Sequence, residues 1–413
     1  MATGVTDTQT KKKSTRKYTL EYEDKKTKKE VMEGDCPSFS KVLSSASSND
    51  FYYGDNLNVL RHLISLGYSE QVRLVYIDPP YATNSAFLGR NQKIAYSDSL
   101  TGADYIEFLR ERIILIHEIL ADDGSIYLHL DGNMAFPMKL VMDEVFGEGN
   151  CRAFITRKKC STKNYTRNTY GNISDYIMFY SKTADYVWNR PYDSWDEDRM
   201  LKEYPCVAPD GRRYKKVPIH APGIRHGATG EAWKGMMPPK GKHWQYTPDK
   251  LTQLDDAGDI YWSPTGNPRR KVYCDPSKGV PIQDIWLNYR DSINQQMKTT
   301  GYPTEKNADM LRMIVNASSN PGDLVMDVFA GSGTTLSAAE ECGRRWIGAD
   351  NSEESLLAIM RRFHSGLQDY GDYVNKPFNQ PQLDVEATGV RHFNLFAETS
   401  SREKVATIIS SAK

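Results

Sequence analysis

The apolar positions divide the chain into two blocks of one texture, separated by a long stretch of another. In the first block Phe51-Tyr52-Tyr53 reads as a short strand turning at Gly54-Asp55, and Asn56 to Leu66 spaces its leucines at helical intervals. Val72-Arg73-Leu74-Val75-Tyr76-Ile77 is the β-branched pattern of a buried strand. It stops at Asp78-Pro79-Pro80-Tyr81, where two prolines forbid further ladder bonding. A helix is predicted over 103–120, ended by Ala121-Asp122-Asp123-Gly124, then a buried strand from Ser125 to Leu130 that stops at Asp131. Strand, helix and strand make a βαβ unit of a parallel sheet. The second block repeats the texture: a strand from Asp323 to Phe329, a tight turn at Ala330-Gly331-Ser332-Gly333, a helix from Thr334 to Cys342, and a strand from Arg345 to Ala349 stopping at Asp350. A last helix is expected from Ser401 to Ile409.

Composition changes the picture between these blocks. Residues 151–290 hold 24 Lys/Arg against 15 Asp/Glu, twelve of the 20 prolines and six of the seven tryptophans. Proline-punctuated short segments predict an irregular β-rich insert, its tryptophans forming a small core of their own. Lys+Arg and Asp+Glu both total 53, so the basic insert is balanced by an acidic remainder. The six cysteines show no C-x-x-C pair, which argues against a zinc ribbon and a disulfide scaffold, and no metal is expected. The start is polar and lysine-rich, and the richest apolar run, Ile113 to Leu120, is far short of a bilayer span, so a soluble cytoplasmic protein is expected. The segmentation is then a mobile basic tail (1–34), half of an α/β domain (35–186), the insert (187–290), the other half (291–366) and an extension (367–413).

Two motifs carry chemistry. The glycine turn Gly331-Ser332-Gly333 leaves a buried strand and opens a helix, and Asp350 ends the next strand. Glycine lets a ligand approach the backbone, the helix start offers N–H groups to an anion, and an acid at a strand tip can bind ribose hydroxyls. The pocket suits an adenosine-bearing cofactor. Leu336 stands where a dinucleotide fold has its third glycine, which favours S-adenosylmethionine over NAD. At the other tip, Asp78 and the carbonyl of Pro79 can each accept one N–H of an exocyclic amine, Pro80 holds the turn rigid, and Tyr81 can stack on the ring.

The pairing of Asp78-Pro79-Pro80-Tyr81 with Asp327-Val328-Phe329-Ala330-Gly331-Ser332-Gly333-Thr334-Thr335 closely resembles the DNA amino-methyltransferases, from about Phe51 to Ser355. The catalytic motif comes first and the cofactor motif last, as in the β class, which includes modification subunits of type III restriction systems and stand-alone adenine methylases. The resemblance implies a doubly wound, mostly parallel, Rossmann-like α/β sheet that binds S-adenosylmethionine, with the insert as target-recognition domain. It gives Phe329, Ala330, Gly331, Ser332 and Gly333, flanked by Asp327 and Thr334, to the methionine moiety, Asp350 to the ribose, Asp55 to the adenine side, and Thr304 and Lys306 to the methionine carboxylate. Val328 and Asn307 depart from the family, each standing where a proline is common.

The expected reaction is methylation of the N6 amine of an adenine flipped out of double-stranded DNA. Arg157, Lys158, Lys159, Lys163 and Arg167, with no acid before Tyr170, suit phosphates flanking the target. His129, at an alternating strand end, is expected to be structural. Cytosine-N4 methylation uses the same geometry, and Asp at position 78 favours adenine through the resemblance. An inactive DNA-recognition subunit of a defence complex is the reading from another class. A homodimer or a separate restriction nuclease as partner is left open, since no P-loop occurs in the chain.

Overall fold

The computed structural model describes residues 18–80, 102–161, 168–291, 302, 305–365 and 392–411, with the backbone of 86–88 and 94–97. These form two compact units, one of residues 1–189 and 283–413, the other Arg190–Ile282.

The larger unit is built on ten strands: β1 Phe39–Leu43, β2 Asp50–Tyr53, β3 Val72–Ile77, β4 Leu120–Leu130, β5 Cys151–Lys158, β6 Ser174–Ser181, β7 Ile285–Trp286, β8 Leu324–Asp327, β9 Arg345–Asp350 and β10 Asn394–Glu398. They lie side by side as β1-β10-β2-β9-β8-β3-β4-β6-β5-β7. From β10 across to β4 every neighbouring pair is parallel. β6 runs antiparallel to β4 and to β5, β7 pairs parallel with β5, and β1 antiparallel with β10. This is a mostly parallel α/β sheet with antiparallel pairs towards its edges. Its centre is the near-continuous apolar run that two covered faces require: Val72, Leu74, Val75 and Ile77 of β3 and Val325 and Met326 of β8 are all fully buried.

The helices are α1 Lys28–Met32, α2 Asn56–Ser65, α3 Gly102–Ile119, α4 Ala135–Phe146, α5 Glu197–Glu203, α6 Pro248–Asp256, α7 Ala308–Ser318, α8 Thr334–Glu341, α9 Glu353–Ser365 and α10 Arg402–Ser411. From β3 the chain crosses through α3 to β4 on one side, and from β8 through α8 to β9 on the other. Right-handed crossovers in opposite directions place these helices on opposite faces and open a crevice at the carboxyl ends of β3 and β8. Asp78 and Asp327 sit at those two ends.

Two expectations need correction. The segment Ala121-Asp122-Asp123-Gly124 belongs to β4, not to a helix end: Leu120 already pairs with Val72, and a register shift precedes Ser125. Residues 18–34 are not a mobile tail, since Val31 is fully buried in the core beside α3. Tyr18 donates to Asp143 at 2.8 Å, Lys25 pairs with Glu144 at 2.7 Å, and Tyr22 and Lys26 are held by Glu107 and Glu111. Lys25 and Lys26 resemble a solvated run because the acids that receive them, Glu144 on α4 and Glu111 on α3, lie 119 and 85 positions away.

The smaller unit has a four-stranded antiparallel sheet and its own core of Ile219, Trp233, Trp244, Leu251 and Ile260. Trp233 and Trp244 thus serve internal packing, as expected of them.

Candidate active site

The cofactor motif begins where β8 ends. Asp327 is fully buried and accepts the Phe329 N–H at 3.0 Å, and burial pushes its carboxyl up to about 7 against the bonds from Thr335 and Phe329. Gly331 and Gly333 have φ of +49° and +73°, a backbone that L side chains rarely adopt, so the turn needs glycine at both places. Gly333 is the N-cap of α8 and supplies no side-chain cap, leaving the first turn's N–H groups for another acceptor. The side chain of Asp350 accepts from Gly331 N at 2.9 Å and from Ser352 N at 2.9 Å. Burial raises this carboxyl, and those two bonds work the other way.

A stripe of α9 braces the turn from below. Ser355 donates to the Gly331 carbonyl at 2.6 Å, Ile359 lies where a Cβ on Gly333 would fall, and Arg362 donates to the Ser332 carbonyl at 2.7 Å and to Thr334 Oγ1 at 2.9 Å. Glu305 neutralises Arg362 at 2.5 Å. Positions 355, 359 and 362 share one helical face, so this stripe was open to a periodicity reading that looked beyond apolar residues. Tyr302 lies over the turn, 3.4 Å from where a Gly331 Cβ would stand. Asp55 caps α2 by accepting from Leu57 N at 2.8 Å and pairs with Arg112 at 3.2 Å, its side chain staying 44% exposed. Asn56 donates to the Val328 carbonyl at 2.9 Å, which ties this corner to the cofactor turn. An uncapped helix start, two glycines and acids on both flanks fit the carboxylate, backbone approach and hydroxyls of S-adenosylmethionine.

Asp78 stands at the tip of β3. Lys306 Nζ lies 2.8 Å from its Oδ2, and His129 Nδ1 3.7 Å from its Oδ1. Burial works to lower the Lys306 ammonium, yet the surrounding carboxylates, Asp78 foremost, raise it above its ordinary value. Lys306, which the family resemblance gives to the methionine carboxylate, therefore pairs here with Asp78 of the other motif. Asn307, one of the two departures from the family, caps α7 by accepting from Met310 N at 3.0 Å.

Behind Asp78 runs a buried polar chain that sequence reasoning missed. His129, on β4, is fully buried, with Nδ1 2.7 Å from the Tyr76 hydroxyl and Nε2 2.9 Å from Asp175 Oδ2. Asp175, at the start of β6, also takes Arg157 at 2.8 Å, and Arg157 reaches Asp291 at 2.5 Å and the Tyr289 carbonyl at 2.7 Å. Burial opposes the Asp175 charge, but His129 and Arg157 outweigh it and hold the carboxyl below its ordinary range. Burial, and then the nearby Asp78 charge, push the Tyr76 phenol far up. Arg157 is 0% exposed, so the expectation that it contacts phosphate is corrected: its guanidinium is consumed inside the protein. Lys158 and Lys159 are half-buried at the end of β5. Tyr81, Lys163, Arg167 and Thr304 lie outside the described residues. Among the described residues no group of three His, Cys, Asp or Glu could hold a metal, and no helix is long and apolar enough to cross a membrane.

Residues 72–361 match the DNA methylase family of N6 and N4 amino-methyltransferases. The chain belongs to that family. It is 51% identical over 342 residues to the type II methyltransferase M.EcaI of Enterobacter cloacae, a match covering 83% of this chain and 75% of that one. It is 29% identical over 330 residues to the StyLTI Mod subunit, of a type III restriction-modification enzyme from Salmonella typhimurium, covering 71% of this chain and 50% of the Mod subunit. Among solved structures, the cytosine-N4-specific PvuII DNA methyltransferase is similar at a TM-score of 0.44 with 16% identity, over 91% of this chain and 96% of that one. The protein is a DNA methyltransferase of the N6/N4 family, a family whose methyl donor is S-adenosylmethionine. The methyltransferase thus brings its glycine turn and its Asp-Pro-Pro segment to the carboxyl ends of neighbouring strands.

Proposed function

We propose that this methyltransferase acts on the N6 amine of an adenine rotated out of duplex DNA. The observation that carries the reading is Asp78, an acid rather than a serine, at the tip of β3, whose neighbour β8 ends in the glycine turn. An adenine within a duplex hides N6 in its base pair, and bringing it out costs roughly a few kcal/mol that pocket contacts must offset. Asp78 and the carbonyl of Pro79 accept the two N–H groups of the amine, so its lone pair leaves conjugation and points outward, with Tyr81 stacked on the ring. S-adenosylmethionine supplies an electrophilic methyl group carried on a sulfonium. As the amine takes that methyl group, Asp78 would stabilise the positive charge that grows on nitrogen. The surplus proton then leaves to the carboxylate or to solvent. Positioning contributes most of the acceleration.

The backbone from Phe329 to Gly333 and the start of α8 hold the methionine end, Asp350 at the end of β9 takes the ribose, and Asp55 flanks the adenine. Lys306 bridges the two motifs. The unit Arg190–Ile282 reads the target sequence. Incubating the protein with duplex DNA and labelled donor, then digesting the DNA to nucleosides, tests the reading: N6-methyldeoxyadenosine is expected, and N4-methyldeoxycytidine as sole product would replace adenine with cytosine.

A further inference from the structure

Within the insert, strands Arg213–Pro218 and Pro268–Tyr273 pair antiparallel, and Ile260–Trp262 flanks the second. Alternation divides their side chains between two faces. One face carries Lys215, Val217, Ile260, Arg270 and Val272 and is covered from within the unit. Lys215 pairs with Glu203 at 2.6 Å, Arg270 meets the Tyr246 hydroxyl, and Ile260 joins the core of Trp244 and Leu251. The other face carries Tyr214, Lys216, Tyr261, Arg269, Lys271 and Tyr273.

On that second face Lys216 stands directly opposite Lys271, and Arg269 lies two residues further along the same strand. Like charges directly opposite across a sheet repel and cost stability. Among the described residues no carboxylate forms an ion pair with Lys216, Arg269 or Lys271, and the Lys271 ammonium donates to the Gly258 carbonyl at 2.7 Å. The rings beneath hold the cations in place, with Lys216 3.6 Å from the Tyr261 centroid and Lys271 5.6 Å from that of Tyr214. The positive field reaches the adjoining two-stranded sheet, where burial and then Lys242 and Arg269 keep the His220 imidazole below its ordinary value. Three cations on one face, two of them set over tyrosine rings and none in an ion pair among the described residues, make a surface that a polyanion complements.

We propose that this face, through Lys216, Arg269 and Lys271, binds the phosphate backbone of double-stranded DNA. The surface is distinct from the Arg157 to Arg167 segment, and the inference rests on the duplex being the substrate. It supplies a holding function that is independent of sequence, beside whatever side chains of the insert read bases.

The test uses the full chain carrying Lys216→Gln, Arg269→Gln and Lys271→Gln together. A fluorescein-labelled duplex of mixed sequence is titrated by anisotropy between about 50 and 200 mM salt. At the lower salt the Kd should rise at least about tenfold, and the slope of log affinity against log salt should flatten by about 2 to 3, near 0.9 for each phosphate no longer neutralised. Lys216→Arg with Lys271→Arg should keep wild-type behaviour, and S-adenosylmethionine affinity by calorimetry should be unchanged in the glutamine variant, showing the fold intact. An unaltered Kd and slope in the glutamine variant overturns the proposal. So does displacement of the duplex from wild-type protein by single-stranded RNA at lower concentration than by unlabelled duplex. A wild type that binds duplex through these residues yet leaves no methylated base supports this surface while sinking the adenine reading, so the two failures are told apart.

Discussion

Asp78 meets Lys306 on one oxygen and lies near His129 on the other, at the tip of β3. Asp78→Ala is expected to abolish methylation while S-adenosylmethionine affinity stays within a few-fold of wild type; near-normal turnover would remove Asp78 from the chemistry. Arg157→Ala tests the buried chain. It leaves Asp175 short of a partner in a water-free site, and breaking a buried pair costs about 3–5 kcal/mol. Stability to urea should fall by that amount while the salt slope of DNA binding keeps its wild-type value, whereas a phosphate ligand would show the opposite pattern. Asp327 adds a pH dependence. Its carboxyl, raised to about 7 by burial, holds its proton in the folded protein over the range, about pH 4 to 7, where the unfolded chain has lost it. The native state binds more protons there, so this group's contribution to stability declines as pH rises through that window and is level above it. Asp327→Asn cannot ionise, so its Tm minus the wild-type Tm should grow from pH 4 to pH 7 and then stay constant. A difference that is flat across the range would mean that Asp327 is ionised throughout.

At the scale of elements, the segment from Tyr18 to Gly34 behaves as a strap over α3 and α4. Val31 anchors it in the core, and four pairs to Glu107, Glu111, Asp143 and Glu144 line its path. Removing residues 1–34 should lower the Tm by at least about 4 °C, because the loss of one fully buried valine alone is worth roughly 1.5–3 kcal/mol. An unchanged melting curve would show that the strap contributes nothing. Beyond β4, β6 and β5 add an antiparallel extension to the sheet, and it is this extension that delivers Asp175 and Arg157 behind His129. A strand-by-strand reading could place each of these residues on a strand, but the order of strands in the sheet decides that they meet.

For the whole molecule, the Asp78 tip and the glycine turn lie in one compact unit, and a basic, aromatic unit is inserted in its sequence. Exchanging residues 190–282 for the corresponding segment of a relative should therefore change which sequence is methylated while the modified base stays the same, as read by sequencing the methylated DNA. A change of modified base on exchange would move base selection out of the Asp78 pocket and into the insert.

What the sequence determined is local. A β-branched run bounded by prolines has to be a strand that ends at Asp78, two glycines between a strand and a helix make a turn that only glycine tolerates, and proline density marks the insert, whose compact unit runs Arg190–Ile282. Each follows from backbone sterics or from apolar spacing within a few residues, so it is written in adjacent letters. The tertiary structure decided everything that depends on partners distant in the chain. Arg157 looked like a phosphate ligand in a basic run and is instead sealed between Asp175 and Asp291; Lys25 and Lys26 looked solvated and meet acids on α3 and α4; His129, read as structural, is buried between Tyr76 and Asp175, with Asp78 close by. A charge's role is set by what lies within about 4 Å of it and by how much water remains there. Those distances are fixed by strand order and helix packing, which bring together residues 129, 175 and 306 that the sequence keeps far apart.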